Sequence, residues 1–274
     1  MSFRLATARA KPDRPNEDFA AVGTNAAVLL DGAGTPPGTV SGCVHGVAWY
    51  ASTLGGLLLG ALGSANSPAG ALADSIERVN QLHADTCDLK HSETPSSTVV
   101  ALRWDHAHCE YLVLADSVLV FDRTGNASPD VVTDDREAVM GAELRGPMDA
   151  LHTGTPEHSR AWSDYAATLA DHRNQPGGFW VASTDPSAAD EAIAGRVPLD
   201  QVNAVALLSD GASRLVDRFR LTTWRATLDS LAHAGPADLI DQVRTAEHGD
   251  PDGRRWPRAK NHDDATVIYG HPRA

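Results

Sequence analysis

Three aspartates stand where short apolar runs meet turns: Leu29-Leu30-Asp31-Gly32, Leu207-Leu208-Ser209-Asp210-Gly211 and Asp263-Asp264-Ala265-Thr266-Val267-Ile268. A short apolar run bounded by turn residues reads as a buried strand, so each carboxylate is expected at a strand end. Carboxylates gathered on one rigid scaffold repel one another unless a cation lies between them. Oxygen donors without a Cys or His cage suit hard ions, Mg²⁺ or Mn²⁺. Other chemistries find little support. No Gly-x-Ser-x-Gly elbow occurs, none of the twelve His falls into a triad pattern, and there is no HExxH pair.

The elements that must position these acids follow from periodicity and turn residues. Strands are expected at Phe3 to Ala8, Asp18 to Val22, Ala26 to Leu30, Pro95 to Leu102, Cys109 to Ala115 and Val118 to Phe121, with Asp116-Ser117 as a hairpin turn. Further strands are expected at Phe179 to Ser183, Ala204 to Leu208 and Ala265 to Tyr269. Helices are expected at about Gly42 to Leu62, Ala69 to Cys87, Ser159 to His172, Ala212 to Val216, Thr222 to His233 and Ala237 to Glu247, and Gly34-Thr35-Pro36-Pro37-Gly38 reads as a loop. Gly125 to Pro156 reads as irregular. Alternating βαβ units are absent, which disfavours a doubly wound sheet and favours antiparallel sheets with helices packed outside.

Composition narrows the partners. The 274 residues carry a net charge of −13, which opposes sequence-independent nucleic-acid binding and docking to anionic membranes. Val44 to Leu62 is nearly uncharged but holds four glycines and no basic flank, and reads as a helix buried between layers rather than a membrane span. Cys43, Cys87 and Cys109 show no zinc spacing and read as buried or partly buried thiols in a reducing cytoplasm. Trp180 and Trp224 read as packing residues.

Taken in order, Asn16-Glu17-Asp18, Asp31-Gly32-Ala33-Gly34, Pro95-Ser96-Ser97-Thr98, Ala115-Asp116-Ser117, Ser209-Asp210-Gly211 and Asp263-Asp264-Ala265-Thr266-Val267-Ile268 strongly resemble the metal-dependent protein phosphatases of the PP2C type, in a compact bacterial form. The resemblance implies one α+β domain over residues 1–274, a four-layer α-β-β-α sandwich with two central antiparallel sheets, and a variable flap-like segment at about 125–178. It implies a metal centre residue by residue. Asp31 matches the aspartate bridging two ions, and Gly32 the glycine whose carbonyl is a ligand. Glu17 matches the acid of the second ion's shell, and Asp18 its neighbour, which contacts metal-bound water. Asp210 and Asp263 match the flanking ligands, and Asp116 the residue that with Asp210 holds a third ion in bacterial members. The reaction implied is hydrolysis of phosphoserine or phosphothreonine in proteins by a hydroxide bridging two Mg²⁺ or Mn²⁺ ions, consistent with two-metal chemistry in general.

The sequence departs from the family pattern at three places. Asp13 stands where a phosphate-binding Arg is common, leaving Arg14 one residue later as the candidate grip. Ala33 replaces a His that follows Asp-Gly in many eukaryotic members, and Val118 replaces the Arg of Gly-Asp-Ser-Arg. His262, beside Asp263, is an alternative acid or an exposed loop residue. The displaced Arg and the divergent flap leave open a phosphorylated small molecule as substrate, and the missing Arg and His leave open a binding module without turnover.

Overall fold

The structure is a computed structural model that describes residues 1–33 and 40–272; the loop expected at Gly34 to Gly38 lies outside the described residues. The strands are β1 (Ser2–Ala8), β2 (Phe19–Val22), β3 (Ala26–Leu30), β4 (Val99–Trp104), β5 (His108–Leu114), β6 (Val118–Arg123), β7 (Asp130–Val132), β8 (Ile193–Pro198), β9 (Val202–Leu208) and β10 (Ala265–His271). The helices are α1 (Val47–Leu62), α2 (Pro68–His83), α3 (Arg136–Gly141), α4 (Gly146–Asp149), α5 (Pro156–Ala170), α6 (Asp210–Asp217), α7 (Trp224–His233) and α8 (Pro236–His248).

Two antiparallel five-stranded sheets form the centre, in the orders β1-β10-β9-β6-β7 and β2-β3-β4-β5-β8. Between them Leu29, Val100, Leu102 and Val113 of the second sheet meet Leu119, Phe121, Leu207 and Ile268 of the first. Strand side chains alternate between faces, so Val28 and Leu30 point the other way, onto Tyr50, Leu54 and Leu58 of α1 and Leu72 and Ile76 of α2. On the opposite outer face Val120, Ala206, Leu208 and Val267 pack on Leu215, Leu228, Leu231, Leu239 and Val243 of α6, α7 and α8. β3 is buried on both faces, which explains why it reads Ala-Ala-Val-Leu-Leu without alternation. The result is the α-β-β-α sandwich that the resemblance implied.

Several boundaries differ for local reasons. α1 begins at Val47, because Gly42 and Gly46 have φ of 68° and 80° and interrupt the helix expected from Gly42. Rather than lying between layers, α1 is an outer layer whose exposed side is made of Ser52, Gly56 and Gly60. That side carries no charge, so its exposure is invisible to a hydropathy scan. Among the described residues no helix is long and apolar enough to cross a membrane. α2 starts at a Ser67 cap that accepts a hydrogen bond from Gly70 N–H at 3.0 Å, with Pro68 in the first turn, and stops at His83.

The Asp116-Ser117 turn is not a hairpin: β5 pairs with β4 and β8, whereas β6 pairs with β7 and β9. The turn carries the chain from one sheet to the other, with Ala115 at φ 66°. The strand expected at Phe179 to Ser183 is reduced to isolated bridges, Arg173 with Phe179 and Ser97 with Ala182. Within Gly125 to Pro156 the chain forms β7, α3 and α4, and the edge strand β8 was also not foreseen. Trp180 is 9% exposed and packs in the core under α1 and α2, and Trp224 packs beside the α6–α8 core, as expected.

Candidate active site

The carboxylates gather at one end of the sandwich, where strand ends from both sheets meet. Asp31 follows β3. Its N–H donates to Thr98 Oγ1 at 3.1 Å, and its carbonyl accepts from Thr98 N–H at 2.9 Å. The Thr98 hydroxyl also meets Ser117 Oγ at 2.6 Å, so one residue ties the Asp31 turn to the sheet crossover that carries Asp116. At the ends of β9 and β10, Ser209 N–H donates to the Thr266 carbonyl (3.1 Å) and Thr266 N–H donates to Ser209 Oγ (2.9 Å), which fixes Asp210 beside Asp263. Asp210 N–H then reaches Asp31 Oδ2 at 3.2 Å, joining the two sheets directly through site residues.

Two glycines permit this approach. A Cβ at Gly211 would lie 2.0 Å from the Asp264 carbonyl oxygen, and one at Gly32 would lie 2.6 Å from the Glu17 carbonyl and 2.5 Å from Val47 Cγ1. Gly32 N–H donates to the Glu17 carbonyl at 3.2 Å, which places the Asn16-Glu17-Asp18 turn over Asp31. Asp264 completes the frame. It is 8% exposed and accepts the N–H groups of Ala10 (2.6 Å) and Glu17 (2.7 Å), one on each oxygen. Its part is to hold the Glu17 turn.

Electrostatically the cluster is under-compensated. Burial, then the charges of Asp18, Asp210, Asp263 and Asp116, hold the Asp31 carboxyl well above the usual carboxylate range. Burial, then Glu137 and Asp210, does the same to Asp116. Burial and Asp263 raise Asp210, and burial pushes Asp18 up to about 7. Glu17 is raised chiefly by burial. Asp263 runs opposite: burial alone would raise it, but Lys260 and Arg214 outweigh burial and lower it. Lys260 Nζ sits 2.8 Å from Asp263 Oδ1, and Arg214 donates to Asp263 Oδ2 at 3.0 Å and to Glu247 Oε1 at 2.6 Å. Glu247, with no exposed surface, also accepts from Arg244 at 2.8 Å and from His262 Nδ1 at 2.7 Å. That bond engages His262 away from the acids.

The donor set fits a hard cation. Both carboxylate oxygens of Asp18 and Oδ1 of Asp210 are buried with no hydrogen-bond partner among the described residues. Buried carboxylate oxygens without partners are costly, and a divalent ion satisfies them while relieving the mutual repulsion. A consequence concerns pH. Groups whose folded pKa lies above their unfolded value favour the folded state at low pH, and that contribution is lost as pH rises through the folded value. Asp18, Asp31, Asp116 and Asp210 all have this sign, and only Asp263 opposes it. In chelator, the melting temperature should fall from about pH 5 to about pH 8, each unit of raised pKa being worth about 1.4 kcal/mol per group. Mn²⁺ should flatten this fall. A melting temperature that climbs with pH in chelator would contradict the picture.

Glu17, Asp18, Asp31, Gly32, Asp116, Asp210 and Asp263 are thus brought together. Arg14 lies apart from them, exposed on the turn before Glu17, with its guanidinium near enough to lower Glu17 slightly. Three contributors escaped sequence reading as site residues. Lys260 and Arg214 neutralise Asp263, and Glu137, on α3, is half-buried, with its charge felt by Asp116 and that of Asp210 felt by it. Glu137 stands with Asp116 and Asp210, the pair that the resemblance implied for a third ion. Val139, Met140 and Trp180 line an open groove of ≈720 Å³ on the same helix's flank.

Comparison with known proteins agrees with this architecture. A family model described as Protein phosphatase 2C matches residues 7–244, ending before Asp263. A search among curated proteins returned no match. Among solved structures, the serine/threonine phosphatase PstP/Ppp of Mycobacterium tuberculosis is 15% identical with a TM-score of 0.56, covering 100% of this chain and 99% of that one. Stp1 from Staphylococcus aureus is 15% identical, with a TM-score of 0.54 and coverage of 99% and 95%. The catalytic domain of PstP in complex with two manganese ions is 14% identical, with a TM-score of 0.55 and coverage of 98% and 96%. Identities this low speak for the fold, and the family match over most of the sequence speaks for descent: the chain belongs to the protein phosphatase 2C family of metal-dependent serine/threonine phosphatases, enzymes that use Mg²⁺ or Mn²⁺.

Proposed function

We propose that Asp31, Asp210 and Asp263, with the Gly32 carbonyl and Glu17, hold two divalent cations, and that this centre removes phosphate from phosphoserine or phosphothreonine in proteins. The observation that carries this reading is the set of buried carboxylate oxygens on Asp18 and Asp210 that lack hydrogen-bond partners among the described residues, beside a raised Asp31. When bound, a pair of hard ions lowers the pKa of a water and neutralises phosphoryl oxygens, and this supplies most of the acceleration. The chain's own part is placement and charge. The Asp210 backbone N–H holds the Asp31 carboxylate in place. Asp18 is placed to orient water. Asp116 and Glu137 offer a third acidic corner with Asp210. The solved PstP catalytic domain with two manganese ions supports the stoichiometry by analogy of fold.

Phosphate itself needs a cation from the protein. Arg14 is exposed at the rim, and Lys260 offers an ammonium at the cluster's edge. We assign the grip to Arg14. Arg14→Ala should raise KM for p-nitrophenyl phosphate by roughly tenfold while changing kcat by less than about threefold, because a contact made equally in ground and transition states acts on KM. An unchanged KM would remove Arg14 from the site.

α3 presents Glu137 to the acids and Val139 and Met140 to the adjacent groove, so the segment at about 125–178 is the one placed to select substrate. Assay of purified protein on a phosphothreonine peptide, p-nitrophenyl phosphate and a panel of phosphorylated metabolites, with Mn²⁺ or chelator, tests the function. Mn²⁺-dependent turnover, best on the peptide, is expected. Metabolite turnover far above peptide turnover would favour the small-molecule reading, and no metal-dependent turnover at all would leave only a binding role. The three free cysteines suit a reducing compartment, and we place the chain in the cytoplasm, which cell fractionation checks.

A further inference from the structure

Away from the acids, two segments distant in sequence bring sulfur and nitrogen donors together. Cys43 and His45 lie just before α1, and Cys87 lies just after α2. Cys87 Sγ is 3.3 Å from Cys43 Sγ and 3.3 Å from His45 Nδ1, and Cys43 Sγ is 3.8 Å from His45 Nδ1. These atoms form the one His, Cys, Asp or Glu group among the described residues whose donors all lie within 4.8 Å of one another. A tetrahedral zinc with Zn–S of about 2.3 Å and Zn–N of about 2.0 Å holds its donors roughly 3.5–3.8 Å apart. The observed spacing is close to that. It is far from the roughly 2.05 Å of a disulfide.

The surroundings are built rather than incidental. Asp88 N–H donates to the Gly42 carbonyl at 2.9 Å, which clamps the two segments beside the sulfurs, and Cys87 N–H donates to the His83 carbonyl at 3.0 Å, which holds Cys87 against the end of α2. Gly42 has φ 68°, and a Cβ there would lie 2.6 Å from His91 Cβ, so the close crossing of the segments depends on glycine. The His45 ring stacks on Trp49 with centroids 4.3 Å apart, which orients its Nδ1 edge. A second observation points to a ligand. His83 is 1% exposed, its ring centroid is 6.1 Å from that of His45, and its Nε2 has no partner among the described residues. Its Nδ1 meets the Val79 carbonyl at 2.6 Å; a carbonyl only accepts, so Nδ1 carries the proton and the neutral ring keeps its lone pair on Nε2. A buried imidazole held in the ligating tautomer thus sits next to the cluster. Burial opposes the Cys87 thiolate, but hydrogen bonding from Val44, Cys43, Thr86 and His45 outweighs it and brings the thiol down to about 7, while burial and the Cys87 contact raise Cys43, so a bound cation is what would hold both as thiolates.

We propose that Cys43, His45 and Cys87 form a second metal site, for a thiophilic ion such as Zn²⁺, distinct from the hard-ion centre at Asp31. Two thiolates and an imidazole select Zn²⁺ over Mg²⁺ or Mn²⁺ by softness, and three protein donors leave a fourth position for water. The site would act as a clip. It ties the segment entering α1 to the segment leaving α2, and Val47 at the start of α1 packs against Gly32. Loading it should therefore stiffen the turn that carries Asp31.

Co²⁺, a spectroscopic stand-in for Zn²⁺, tests this without reference to turnover. Titrating it into the full chain should give a thiolate-to-cobalt charge-transfer band that saturates at one equivalent and is displaced by Zn²⁺. The band should survive in Asp31→Asn and vanish in Cys43→Ser and Cys87→Ser. In the unaltered protein, Zn²⁺ should slow alkylation of Cys87 by roughly tenfold or more. Absence of the band, its persistence in Cys87→Ser, or alkylation unaffected by Zn²⁺ would overturn the proposal. Ready loss of two hydrogens under mild oxidation with no cobalt band would instead make Cys43 and Cys87 a redox pair, and would equally overturn it.

Discussion

Asp31→Asn is expected to lose metal-dependent phosphatase turnover by roughly a thousandfold or more while leaving the metal-free protein as stable as before, or more so. Asn keeps an oxygen for the Asp210 N–H and an N–H for Thr98, so the turn is preserved. What disappears is a buried charge that Asp18, Asp210, Asp263 and Asp116 all repel. The expected signature is therefore split: activity lost, melting temperature in chelator raised or unchanged, and the Mn²⁺-induced shift in melting temperature lost. Active sites store this kind of strain, and relieving it stabilises at the expense of function. A variant that unfolds, or one that keeps both turnover and the Mn²⁺ shift, would show that Asp31 is structural.

Arg214→Met is expected to have the opposite signature, a large loss of stability. Arg214 is 7% exposed and bridges Glu247, which has no exposed surface, to Asp263. Removing one partner of a buried ionic network leaves the others charged and short of donors, at a cost of about 3–5 kcal/mol. Arg244 and His262 still reach Glu247, and Lys260 still reaches Asp263, so the cost should fall toward the lower end of that range. Urea unfolding followed by circular dichroism measures it. The double variant with Glu247→Leu should recover part of the loss, because both buried charges of the pair are then gone. A loss below about 1 kcal/mol would mean that water reaches the network.

The contrast between these variants reflects what a sequence can and cannot show. The acids of the site were legible because each sits at a strand end beside a turn residue, a purely local pattern. β3 was legible to the residue, since an apolar run closed by Asp-Gly has clear ends. Asp116 was legible as a residue but not as a place. Its turn looks like a hairpin locally, and only the pairing of β5 and β6 with different partners shows that the chain changes sheets there. β8 was missed because it is an edge strand with mostly exposed side chains, reading Ile-Ala-Gly-Arg-Val-Pro.

Partners brought together by tertiary structure were beyond reach. Lys260 is near Asp263 in sequence, yet nothing local says that its ammonium turns inward. Glu137 lies 21 positions from Asp116, inside a stretch that read as irregular. Cys87 lies 44 residues beyond Cys43, so the sulfur–nitrogen cluster has no short spacing to betray it. The cysteines that read as scattered thiols are, for Cys43 and Cys87, neighbours. Cys109 alone keeps the bland role: buried between the sheets, with burial pushing its thiol up to about 12.

The most direct test of the central claim is a crystal structure grown in Mn²⁺, with anomalous scattering recorded for manganese. The predicted result is two strong anomalous peaks coordinated by Asp31, Asp210 and Asp263, with the Gly32 carbonyl and the Glu17 side of the cluster completing their shells. Manganese absent from this cluster, with Lys260 and Arg214 still paired with Asp263 and the Asp18 and Asp210 oxygens met by ordinary hydrogen-bond donors, would contradict it.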